Sequence, residues 1–246
     1  MRFVVVVLSL SIAAGVFAER GFTEHRMLRA DPDRLASDGA LLRIAVRRGA
    51  PLFLARCAVC HGAQGKGDPH GGIPDLTDDD WLYGTGRVAE IERVIDYGIR
   101  SRNSRAFNLA VMPAYARQHP SPTDNSIQPL RPAELGDLIE FLMQRQGRRP
   151  DIEAASRGAA LFGGRAGCFD CHSPDAKGDP AIGAPNLTDG ITLYGDGSRS
   201  SLFMSIAYGR QGVCPAWISR LSAADIRQLA LYVYSISHPG TIQNAH

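Results

Sequence analysis

"CAVCH" at Cys57–His61 and "CFDCH" at Cys168–His172 are two copies of one pattern, C-x-x-C-H. The pattern reads as c-type haem attachment. Its two thiols add across the haem vinyl groups, and the adjacent imidazole becomes the proximal iron ligand. A redox dithiol and half of a zinc site are the competing readings. A thioredoxin-like motif expects a surrounding βαβ pattern, and none is visible. Cys57, Cys60, Cys168 and Cys171 leave one of the five cysteines over, Cys214.

The two copies gain weight because they lie in an internal repeat. A shift of 111 residues, which takes Cys57 to Cys168, superposes the halves without a gap from Cys57 to Gly98. Lys66-Gly67-Asp68-Pro69 meets Lys177-Gly178-Asp179-Pro180, and Leu82-Tyr83-Gly84 meets Leu193-Tyr194-Gly195. Tyr97-Gly98 likewise meets Tyr208-Gly209. A solenoid needs at least three repeats, so duplication of a whole haem-binding domain is the simpler reading. The expected cofactors are two covalently attached c-type haems.

With 246 residues, 44% of them hydrophobic, the chain has room for one large core or two domains of ~100 residues. A net charge of +2 gives no footprint for nucleic acid. The N-terminus, "MRFVVVVLSLSIAAGVFA", joins one basic residue to an apolar run and a small-residue cleavage signal. Residues 1–18 are expected to be a cleaved secretory signal, with an uncleaved anchor as the alternative. The run falls short of the ~20 residues of a spanning helix. Export places the chain in an oxidising compartment, where free thiols are unusual.

Residues 19–40 form an N-terminal segment, and 41–147 and 151–238 the two expected domains. Each opens with a helix, "RGAPLF" leading to Cys57 and "RGAALF" leading to Cys168. Gly49 and Gly158 on these helices would let another helix approach closely. Each domain ends with an amphipathic helix: Leu135, Leu138, Ile139 and Leu142 in one, Ile226, Leu229, Ala230 and Val233 in the other. Pro132 suits a first turn and Ser222 a cap. Between them lie loops rich in Gly, Pro, Asp and Asn, without a strand pattern. The expectation is an all-α chain of two tandem domains, each with terminal helices crossing around a haem, and this resembles the class I cytochrome c fold. By analogy with that fold, the Pro74 and Pro185 carbonyls accept the proximal Nδ1–H. The short polar linker Gln146–Asp151 argues for two haems held close.

The first domain offers Met112, in "VMPAY", as sixth ligand, 51 residues beyond His61. A thioether is neutral and soft, and favours ferrous iron; the plain alternative is core filler. His70 and His119 are weaker candidates in polar loops. In the second domain "VCPAW" takes its place, with Cys214 lying 42 residues beyond His172. The expected pairs are therefore His61 with Met112 and His172 with Cys214. An alternative has Cys214 joined to a second chain, leaving the second haem five-coordinate or bound by Met204. The longer loop "RQHPSPTDNSIQP" after Met112 is either a docking surface or a solvated loop.

"CAVCHG…GKGDP…PDLTDDDWLYG…YGIR…MPAY" and "CFDCHS…GAPNLTD…LYG…YGRQGVCPAW" resemble the two periplasmic haem domains of subunit III of cbb3-type cytochrome oxidases. The likeness runs over roughly residues 45 to 238. It implies a periplasmic electron carrier whose redox partner is a terminal oxidase or a periplasmic dehydrogenase. Membrane contact would come only through an uncleaved N-terminus or a membrane partner. Three features depart from the family: no anchor beyond the expected leader, Thr192 where the repeat has Trp81, and Cys214 in place of a methionine. Thiosulfate dehydrogenases, which resemble this chain in His/Cys haem ligation, suggest the alternative of an enzyme oxidising a small sulfur compound.

Overall fold

Asp38 and Asp151 open the helices that lead into the two motifs, their carboxylates accepting from the Leu41 and Ala154 N–H groups at 3.0 and 2.9 Å. The structure is a computed structural model that describes residues 19–243. The expected leader, residues 1–18, lies outside the described residues. Among these, every regular element is helical, and extended backbone pairs only in isolated bridges.

In chain order the helices are α1 (residues 19–29), α2 (Pro32–Leu35), α3 (Gly39–Arg56), α4 (Ala58–His61), α5 (Val88–Tyr97) and α6 (Pro132–Arg145). There follow α7 (Ile152–Phe162), α8 (Phe169–His172), α9 (Arg199–Tyr208), α10 (Ala223–Ser237) and α11 (Gly240–Gln243). The terminal helices start where their caps predict. Glu134 reaches back to the Arg131 N–H at 2.8 Å behind Pro132, and Ser222 Oγ accepts from the Asp225 N–H at 3.1 Å. α7 stops at Phe162, short of Cys168, because Gly163 and Gly164 follow it.

The packing of these helices departs from the sequence expectation. α10 lies on α3 and α5, while α6 lies on α7 and α9. Gly49 of α3 touches the Gln228 carbonyl and Tyr232 of α10; Gly158 of α7 touches the Asp137 carbonyl and Phe141 of α6. The crossing terminal helices are present twice, and both glycines sit at the crossings. In each globule, however, the last helix comes from the other repeat.

The physical reason is the linker. Gln146–Asp151 has the short length that favours neighbouring antiparallel helices, and α6 and α7 pack as a helical hairpin. The first globule thus joins α1–α5 to α10, with Leu42, Phe53, Val88, Leu229 and Leu231 in its core. The second joins α6 to α7–α9, with Leu138, Phe141, Leu142, Phe162 and Ile206 in its core. Stretches 41–147 and 151–238 are repeats of sequence, and each globule is assembled from both. No helix among the described residues is long and apolar enough to cross a membrane.

Candidate dihaem site

Each motif is folded the same way. Cys57 and Cys168 cap the one-turn helices α4 and α8, whose last residues, His61 and His172, donate N–H bonds to the Cys57 and Cys168 carbonyls at 3.0 and 2.9 Å. The chain then reverses through a left-handed residue, Gly62 in one copy and Ser173 in the other. Gly67 and Gly178 N–H groups close the turns on the His61 and His172 carbonyls, both at 2.9 Å.

The returning loops bring proline carbonyls onto the imidazoles. His61 Nδ1 lies 3.2 Å from the Pro74 oxygen, and His172 Nδ1 lies 3.0 Å from the Pro185 oxygen. A carbonyl only accepts, so Nδ1 carries the proton and Nε2 keeps its lone pair for a metal. Burial lowers the pKa of both histidines, opposed by these hydrogen bonds. Both imidazoles are therefore held neutral, as a ligand must be.

None of the five cysteines is in a disulfide. Burial pushes the Cys57 and Cys168 thiols up to about 11, so neither is an activated thiolate of the redox-dithiol kind. Among the described residues no cluster of three or more His, Cys, Asp or Glu is placed to hold a metal ion, and the zinc reading lacks a donor set.

The distal candidates are exchanged along with the helices. Cys214 lies beside the Cys57 motif: burial and then the nearby Cys57 and Cys60 sulfurs push its thiol up to about 11. Met112 packs on the second core together with Cys168, Phe169 and Leu187. Three residues on, the buried Tyr115 donates its hydroxyl to the Ala166 carbonyl, next to that same motif. The sequence expectation set Met112 against His61 and Cys214 against His172. The structure brings them together the other way, because each ligand segment travels with the helix that follows it. Neither His70, exposed in its loop, nor Met204, on exposed α9 surface, is drawn into this arrangement.

The two repeats meet through equivalent contacts, first within each globule and then between the two. Ile99 and Cys214 exchange N–H···O bonds of 2.9 Å in both directions, and the equivalent Met112 N–H donates to the Arg210 carbonyl at 3.1 Å. The Gly84 N–H binds the Pro180 carbonyl at 3.1 Å, and the Gly195 N–H the Pro69 carbonyl at 2.8 Å. Tyr194 lies on Gly72 and Tyr83 on Gly183, at positions a side chain would fill. These tyrosines stand in the repeated "LYG", but the repeat alone does not say that each packs on the other copy.

A cytochrome c family model matches residues 46–146, and one described as "Cytochrome C oxidase, cbb3-type, subunit III" matches residues 153–233. The cbb3-type cytochrome c oxidase subunit CcoP of Cereibacter sphaeroides is 34% identical over 221 residues, covering 89% of this chain and 71% of the relative. CcoP of Rhodobacter capsulatus is 37% identical, with 87% and 69% covered. FixP of Azorhizobium caulinodans is 39% identical over 197 residues, with 80% and 61% covered. The chain belongs to the CcoP/FixP family of cbb3-type cytochrome c oxidase subunits. Membership of CcoP/FixP and the paired C-x-x-C-H motifs fix the cofactors as two covalently attached c-type haems. The residues present fit them: free thiols, imidazoles with Nδ1 engaged, and a sulfur side chain beside each motif.

Proposed function

We propose that this chain is the dihaem electron-transfer subunit of a cbb3-type oxidase, working in the periplasm with the terminal oxidase as its partner. When bound, each haem supplies a one-electron ferric–ferrous couple. His61 and Cys214 would hold the iron of the haem on Cys57 and Cys60, and His172 and Met112 that of the haem on Cys168 and Cys171. What carries this reading is the exchanged placement of the two sulfur residues. The relatives are oxidase subunits, which does not favour the sulfur-compound enzyme.

The chain's own residues make the two sites unequal. A Cys214 thiolate is anionic and favours ferric iron, whereas the Met112 thioether is neutral and favours ferrous iron. Electrons entering the subunit should therefore rest at the Met112 site. The Pro74 and Pro185 carbonyls act alike on both proximal imidazoles, so the distal sulfur decides the difference.

Removing one attachment site at a time tests the assignment. Low-temperature electron paramagnetic resonance of Cys168→Ala/Cys171→Ala, which keeps only the first haem, should show a thiolate-type low-spin signal that Cys214→Met abolishes. Cys57→Ala/Cys60→Ala should leave a thioether-type signal. The opposite pattern would return the ligands to their own repeats, and equal midpoint potentials in the intact protein would remove the thiolate.

A further inference from the structure

Arg100 follows Ile99, the residue that pairs with Cys214, and stands where the Cys214 and Met112 loops approach each other. Its backbone is left-handed, with φ of 46°, in a region unfavourable to side-chain-bearing residues. The Arg100 N–H is bonded to the Phe107 carbonyl at 2.8 Å, which holds the chain in that turn. The turn aims the guanidinium at both distal loops. Nε donates to the Gly212 carbonyl at 2.5 Å, and Nη1 donates to the Ala110 carbonyl at 2.8 Å, with Tyr83 Oη at 3.4 Å.

Gly212 and Ala110 are equivalent positions. Each lies two residues before the sulfur residue of its loop, Cys214 or Met112. One guanidinium therefore grips the same carbonyl in both loops. The repeat provides no second one, because the position equivalent to Arg100 is Gln211. A single cation thus braces two loops belonging to different globules, and a planar fork with fixed donor directions suits that task.

We propose that Arg100 is a shared positioning residue for the distal ligands of both haems, so that displacement of one ligand loop is felt at the other. The proposal rests on Cys214 and Met112 being those ligands. Breaking the fork should loosen both loops together.

The test compares Arg100→Gln and Arg100→Lys with the wild type in the full, dihaem-loaded protein. Amide hydrogen exchange at Met112 and Cys214 should accelerate about tenfold at both in Arg100→Gln, as expected for loss of a charge-assisted bond at each loop. Both ferric low-spin signals and both midpoint potentials should shift. Arg100→Lys keeps the charge, but an ammonium lacks the fork, so it should restore at most one loop. If Arg100→Gln fails to load haem, Arg100→Lys decides alone. A change confined to one loop, no change at either, or wild-type behaviour of both loops in Arg100→Lys would overturn the proposal. If exchange rises at both loops while Cys214→Ala and Met112→Ala leave both signals intact, the ligand assignment fails and the brace stands.

Discussion

The two globules hold their borrowed helices by different means. In the second, α6 presents Glu134, Asp137 and Glu140, and each acid meets an arginine of the other repeat: Arg165, Arg157 and Arg199. Those arginines are about half exposed, their side chains keeping 47%, 60% and 53% of their surface. In the first globule, α10 carries instead one buried cation. Arg227 bonds Glu92 of α5 at 2.7 Å and the Met27 and Ala30 carbonyls at 2.7 and 3.2 Å, fastening α1 as well. Its side chain is 9% exposed and that of Glu92 16%. The same helix crossing is thus braced once by half-exposed arginines on buried acids and once by an arginine that is itself buried. Where the second globule pairs Arg157 with Asp137, the first has Arg48, whose Nη1 faces Glu24 of α1 at 3.6 Å, and Gln228, whose Nε2 lacks a hydrogen-bond partner. Arg48 and Glu24 tie α3 to α1, so among the described residues Arg227 with Glu92 is the ion pair that fastens α10.

Arg227 offers the sharpest way to break that comparison. Arg227→Met should destabilise by about 3–5 kcal/mol, because the Glu92 carboxylate and two carbonyls lose their partner away from water. Arg157→Met removes a half-exposed partner but leaves the Asp137 carboxylate, 13% exposed, without its bidentate cation, and should cost about 1–3 kcal/mol. Urea unfolding of both variants measures the gap. Equal losses would show that the two braces are equivalent despite their burial.

The crossing glycines come next. A methyl at Gly158 would fall on the Asp137 carbonyl, which is backbone and cannot swing aside. Gly158→Ala should therefore cost about 1–3 kcal/mol by overpacking. Gly136, on the same seam helix α6, has open space around its Cα. Gly136→Ala should do the reverse and stabilise by about 0.5–1 kcal/mol through helix propensity. Thermal midpoints that move the same way in both variants would break the idea that α6 and α7 are in contact at Gly158.

Much of this was legible in the sequence, and its limit has a definite cause. The motifs, the four long helices, the caps at Pro132 and Ser222, and the close-approach glycines all follow from local chemistry. So do the left-handed turns after each histidine, since Gly62 and Gly65 in one copy reveal the backbone of Ser173 and Ala176 in the other. Which helix crosses which does not follow from a repeat, because both copies present the same faces. The linker held the missing information. Its shortness bears first on the helices it joins, and only through them on the haems. Arg227 left no local trace, as its partners lie on the other repeat and in the N-terminal segment, and Arg100 showed none of its reach to Gly212 on the other repeat.

Glu134 carries the smallest of these differences and gives it a pH dependence. Its carboxylate sits at the start of α6 and is drawn down to about 2, first by the Arg131 side chain, then by Arg165, then by the Arg131 N–H. A depressed carboxylate stabilises the fold at pH values above its unfolded pKa, and the gain fades as protons return to it. Glu134→Gln should therefore cost about 1 kcal/mol at about pH 7, the worth of a charged cap and one surface pair. The gap between variant and wild type should hold down to about pH 4.5, narrow below it, and close near pH 2. In the first globule the corresponding acid, Asp225 of α10, accepts instead from a hydroxyl, Ser222 Oγ, at 2.8 Å. Denaturation midpoints followed from neutral to acid pH thus ask whether the charged stripe of α6 contributes to holding the exchanged helix. A gap between Glu134→Gln and wild type that does not change with pH would mean that the carboxylate acts there as a shape alone.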